Sequence, residues 1–155
     1  MAAPSFEQRL ASLGLALPAP PTPLGAYVPW VRAGSLLYLS GQLPMRDGRI
    51  VHPGRVGEEI TVAQGAECAR IATLNALAIV RAALGSLDAV ARVVRLAGHV
   101  AAPTSFTAHP QVLNGASELL VEIFGEAGRH ARVALGAPSL PANACVELEL
   151  LFEAC

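Results

Sequence analysis

Val146-Glu147-Leu148-Glu149-Leu150-Leu151-Phe152-Glu153 decides how the chain is read. Val146, Leu148, Leu150 and Phe152 alternate with Glu147, Glu149, Leu151 and Glu153, the period of two that belongs to a strand with one face on a core. Such a strand needs a sheet to lie in and a layer to cover it. Upstream, Thr61 to Leu84 is dense in Ala, Leu and Ile. Ile71, Leu74 and Ala78 share one helical face, Ala72, Ala76, Ile79 and Ala83 lie beside it, and Gly85 stands where a helix ends. Val90 to Ala101 is β-branched and predicts a strand buried on at least one side. Gln111 to Glu126 predicts a second helix with Leu113, Leu120 and Phe124 on one face, stopped by Gly125 and Gly128. Further back, Tyr27 to Arg32 and Leu36 to Gly41 are joined by Ala33-Gly34-Ser35, a connection suited to a hairpin. Asp47-Gly48 marks a turn, and Arg49-Ile50-Val51 predicts a short strand. The order hairpin, helix, strand, helix, strand predicts an α+β sandwich, two helices packed on one face of a sheet.

Residues 1–23 read as an arm. Phe6, Leu10 and Leu13 recur at helical spacing behind Ser5 as N-cap, and Pro18, Pro20, Pro21 and Pro23 force the connection after them to run extended. Residues 24–155 then form one domain. The composition is 53% hydrophobic, much of it alanine, yet no apolar run reaches the ~18 residues of a membrane span. The first ten residues lack a basic region followed by an apolar segment, so a cytoplasmic setting is expected.

Charge and residue type exclude whole classes of chemistry. All eleven basic residues are arginine, which rules out a Schiff-base lysine, a P-loop lysine or a lysine base. Net charge is −1, and no basic stripe interleaved with aromatics is present, so nucleic acid is not the expected partner. No GxGxxG or GxxxxGK[ST] loop occurs. Cys68, Cys145 and Cys155 are widely spaced and predict free thiols, and His52, His99, His109 and His130 are scattered, so no metal is expected.

Two residues stand out for chemistry. Arg132 heads a predicted strand, His130-Ala131-Arg132-Val133-Ala134-Leu135, and Glu147 projects from the face of the last strand opposite Val146 and Leu148. Either could equally be a solvated side chain, and periodicity does not decide.

The segments Gly25-Ala26-Tyr27-Val28, Leu39-Ser40-Gly41-Gln42-Leu43-Pro44, Ala131-Arg132, Leu140-Pro141 and Val146-Glu147-Leu148-Glu149, in that order, resemble the Rid (YjgF-type) reactive-intermediate deaminase family, also described as endoribonuclease L-PSP-like. The resemblance spans about residues 24 to 154. It implies a chorismate-mutase-like fold, a homotrimer with three clefts between neighbouring subunits, and hydrolysis of enamines or imines such as 2-aminoacrylate and 2-iminobutanoate to 2-keto acids and ammonia, with no cofactor. Arg132 would bind the substrate carboxylate bidentately, Glu147 would orient or activate water, and Tyr27 and Ser40 would line the pocket. Ala134 stands where many deaminase members carry a cysteine, Leu135 to Ser139 depart from the usual strand, and Ala101 to Asn114 reads as an extended loop. Two readings follow: an imine or enamine deaminase, and a trimeric module that binds a small carboxylate without turning it over. Endoribonuclease activity finds little physical support in a lysine-free chain of net charge −1.

Overall fold

The alternating strand lies at the centre of the sheet. The computed structural model describes residues 2–155. The sheet is built from β1 (Trp30–Ala33), β2 (Leu36–Leu39), β5 (Val90–Ala101), β6 (Ala131–Ala137) and β7 (Val146–Ala154), in the order β1-β2-β7-β5-β6. All neighbours are antiparallel except β5 and β6. A separate ribbon pairs β3 (Met45–Arg46) with β4 (Arg49–Ile50). Asp47 and Gly48 join them with φ of 53° and 73°, the pair of positive values that a two-residue hairpin turn needs.

The helices α1 (Phe6–Ser12), α2 (Val62–Leu84) and α3 (His109–Phe124) cover one face of the sheet. Thr61 caps α2 by accepting from the Gln64 amide, while the Gln64 side chain takes the Thr61 amide; Gly85 closes the helix at φ 85°. Small residues let α2 and α3 approach until their backbones touch, because a Cβ on Gly115 would collide with the Ala66 carbonyl. The core between helices and sheet is filled by Leu37, Leu96, Val146, Leu148, Phe152, Leu113, Leu120 and Phe124.

Two boundaries and the packing of the arm differ from expectation. β1 begins at Trp30 and not at Tyr27. Tyr27 and Val28 are exposed in a bend, because the Val28 carbonyl is taken by the Ser40 hydroxyl at 2.6 Å. Trp30 turns inward, half-buried against the core beside Leu39. α3 starts at His109, inside the stretch expected to be a loop, with Pro110 in its first turn, where its missing amide costs nothing. Finally, α1 makes a third helix on the covered face. Ser5 caps it, Leu10 is buried in the core, Phe6 meets Phe124 edge to face at 4.9 Å, and Glu7 Oε1 accepts from Arg81 Nε at 3.0 Å and from the Leu87 amide at 2.9 Å. Burial pushes the Glu7 carboxyl up, but these donors and the Arg81 charge outweigh it and hold it below the usual range.

Cys68, Cys145 and Cys155 are free, the first two buried and the third exposed. The Cys68 thiol is pushed up by its hydrogen bond with Cys145 and by burial. No helix among the described residues is long and apolar enough to cross a membrane.

Candidate active site

On β7 the side chains that avoid the core point to the bare face of the sheet, and Glu147 lies there directly across from His99 of β5. Its carboxyl folds over Gly41, where a Cβ would collide with Oε1. The segment holding Gly41 is clamped to β7. The Gln42 amide donates to the Leu148 carbonyl at 2.8 Å, the Leu148 amide returns the bond at 2.9 Å, and Gln42 Nε2 ties back to the Ser40 carbonyl at 2.9 Å. Gly25 gives way to the Tyr27 ring in the same manner, a Cβ there meeting Cε1 at 3.2 Å, and the Tyr27 hydroxyl accepts from the Leu24 amide at 3.2 Å. The glycines of both motifs thus make room for a neighbouring side chain.

These residues border a cleft of about 520 Å³, walled by Tyr27, Ser40, Gly41, Gln42 and Glu147 on one side and by Pro21 to Leu24 and Met45 on the other. Half-burial raises the Glu147 carboxyl above the ordinary range; His99 opposes that shift and Glu149 reinforces it. His99 and Glu149 form their own pair, Nε2 to Oε2 at 3.0 Å. The cleft therefore holds a carboxyl of raised proton affinity beside backbone groups and a phenol.

Tyr27, Ser40 and Glu147 lie together at this cleft, with the Ser40 hydroxyl already committed to the Val28 carbonyl. Arg132 does not join them within one subunit. It lies across from Leu96, whose side chain is in the core, so it points to the helix-covered face, opposite to Glu147. There Nη1 donates to Asn114 Oδ1 at 2.8 Å and to Ser117 Oγ at 3.1 Å, both on α3. Ser117 Oγ also meets His130 Nε2 at 2.9 Å, and His130 Nδ1 meets the Gly128 carbonyl at 2.6 Å. That carbonyl can only accept, so Nδ1 is the donor in this bond. Ala134, two residues on, packs partly buried against the core on the same face. It does not border the Glu147 cleft.

Sequence reasoning missed His99, Glu149, Asn114, Ser117 and His130. The alternation of Glu147 with Glu149 flagged a shared face, and Asn114 and Ser117 stand three apart on one helix side, but nothing local pairs them with His99 or Arg132. Among the described residues no group of three or more His, Cys, Asp or Glu is placed to hold a metal.

The family described as "YjgF/chorismate mutase-like, putative endoribonuclease" matches residues 7–154. The chain belongs to this family. Its YjgF-type fold is shared at high similarity by the protein Atu1372 of unknown function from Agrobacterium tumefaciens, 45% identical with a TM-score of 0.88 over 96% of this chain and 91% of that one. A "putative endoribonuclease" from Shewanella oneidensis is 41% identical with a TM-score of 0.94, covering 97% and 99%. Protein TCP17 of Trypanosoma cruzi is 44% identical over 145 residues, 93% of this chain and 91% of that protein. More distant in the YjgF fold is E. coli TdcF with bound serine, 23% identical with a TM-score of 0.62 over 88% and 94%.

Proposed function

We propose that the chain is a cytoplasmic homotrimeric hydrolase that deaminates reactive enamine and imine acids of the 2-aminoacrylate type at the Glu147 cleft. The observation that carries this reading is the carboxyl of Glu147, half-buried, raised in proton affinity and open to a cleft of small-molecule size. An enamine first tautomerises to its imine. The Glu147 carboxylate takes a proton from water as the water oxygen bonds to the imine carbon and hands it to the imine nitrogen, giving a carbinolamine; the remaining hydroxyl proton then passes to nitrogen, by way of the same carboxylate, as the carbonyl of the 2-keto acid forms and ammonia leaves. No cofactor is required, since the imine carbon is already electrophilic.

The substrate carboxylate needs a cation that the cleft of a single chain does not supply. We assign that role to Arg132 of a neighbouring copy. Arg132 is exposed near the start of β6, an edge strand of the sheet, and only Nη1 has a partner among the described residues. The bare sheet face exposes Val31, Tyr38 and Leu135 beside Glu147, His99 and Glu149, a mixed surface suited to an interface cleft between copies. The serine held by TdcF is consistent with a small amino-acid-derived ligand for this fold.

The separation of Arg132 from Glu147 within one subunit favours a second reading, a module that binds a small carboxylate without turning it over. Ammonia release from freshly generated 2-aminoacrylate distinguishes the two. The hydrolase accelerates it over buffer, and no acceleration for any imine leaves the binding module.

A further inference from the structure

A three-carbon acid fills only a small part of the cleft beside Glu147, and a second groove adjoins that cleft. Pro21, Thr22, Leu24 and Met45 also border a second groove of about 750 Å³, which continues between the segment 16–24 and the outer side of α2 at Leu74. The two spaces therefore adjoin, with these four residues lining both. Apolar side chains dominate the groove, with Leu17, Ala19 and Leu74 among them and the charges of Arg46 and Asp47 confined to the ribbon turn.

The wall that separates this channel from solvent is held in place. At its start the Leu15 amide returns to the Leu10 carbonyl at 3.3 Å, and Leu15 and Leu17 pack on the core. At its end the Leu24 amide is bound by the Tyr27 hydroxyl. Between these anchors Pro18, Pro20, Pro21 and Pro23 fix the backbone in an extended form, so the wall keeps its shape without an occupant. An apolar groove adjoining the cleft that holds a carboxyl is a place for the rest of a substrate.

We infer that the acid turned over at Glu147 carries an extended apolar side chain, which passes between Met45 and Leu24 into the groove between the proline strap and α2. The inference rests on the hydrolytic reading of the cleft, and it makes chain length the property by which substrates are selected. Each methylene that leaves water in the channel should strengthen binding about fourfold.

The test uses imines generated in place by an amino-acid oxidase from alanine, 2-aminohexanoate and 2-aminooctanoate, with ammonia release followed on the intact protein. The expected result is a kcat/KM that rises at least about tenfold from the shortest to the longest imine. Ala19→Trp and Leu74→Arg, which alter the groove and leave the Glu147 cleft untouched, should erase that rise while keeping the rate on the shortest. Turnover that is flat with chain length, or variants that slow all imines alike, would overturn the inference and leave the hydrolase standing. If no imine is turned over, the hydrolytic reading fails, and calorimetry with pyruvate and 2-oxooctanoate decides the channel. Tighter binding of the longer acid, lost in both variants, supports it; equal affinities overturn it.

Discussion

Glu147 and Arg132 lie on opposite faces of the sheet, and each carries its own prediction. Replacing Glu147 by Gln keeps the shape over Gly41 and removes the proposed base, so imine turnover should fall by ~10²–10⁴ while 2-keto acid affinity holds. The same variant has a signature in stability. Glu147 is raised in the folded state, chiefly by burial, so folding holds its proton more tightly than the unfolded chain does. Its ionisation therefore costs stability as pH rises through the ordinary glutamate range up to the folded value. Glu147→Gln should melt above wild type at neutral pH and level with it in acid; the reverse order would mean that the carboxylate is a favourable structural partner. For Arg132, Lys should be nearly as harmful to carboxylate binding as Ala, because lysine keeps charge but loses the planar fork. Binding restored to within about twofold by Lys would reduce the site to a point charge. The face that Arg132 occupies was hidden from the sequence. Val133 and Leu135 look like the inward pair, yet Leu135 is 48% exposed. The small residues turn inward, because Leu113 packs over Gly98 and His109 over Gly136. A period-two reading of β6 has no means of knowing that a neighbouring helix wants glycine and alanine beneath it.

Elements whose ends carry their own chemistry were legible to within a residue. α2 announces itself by its run of Ala, Leu and Ile closed by Gly85, and β7 by alternation. Elements set by distant partners were not. α3 begins two residues before the expected start, under Pro110, and β1 loses Tyr27 and Val28 to a hydroxyl twelve residues away. The contact between α2 and α3 yields the prediction at this scale. Gly115→Ala should be more destabilising than Gly98→Ala. The first forces a methyl into the Ala66 backbone carbonyl, whereas the second meets the end of the Leu113 side chain, which can rotate. Overpacking of this kind costs roughly 1–3 kcal/mol, with Gly115 at or above the upper end. Thermal melts of the two variants check the order, and equal losses would mean that the helices slide apart as easily as a leucine turns.

At the level of the whole molecule, a lone subunit offers a cleft carboxyl without an arginine, an arginine without a carboxyl, and a bare sheet face that exposes Val31, Tyr38 and Leu135. Assembly into the proposed trimer would resolve all three. Light scattering in dilute solution should give three times the 16.0 kDa chain mass, and a monomer or dimer would remove the intersubunit site. Mixing inactive Arg132→Ala and Glu147→Gln subunits should restore part of the activity, since some clefts in mixed trimers draw both residues from intact copies. The order β1-β2-β7-β5-β6 also bears on how the chain is made. The strand that follows every other one in sequence occupies the middle of the sheet, so the early hairpin and the later parallel pair have no bridge until β7 is synthesised. At the ~5–20 residues per second of translation, the ribosome carries the exposed halves for several seconds before they can join. A nascent chain arrested just short of Val146 should be cut readily by protease, and release of the nine residues of β7 should make it resistant in one step.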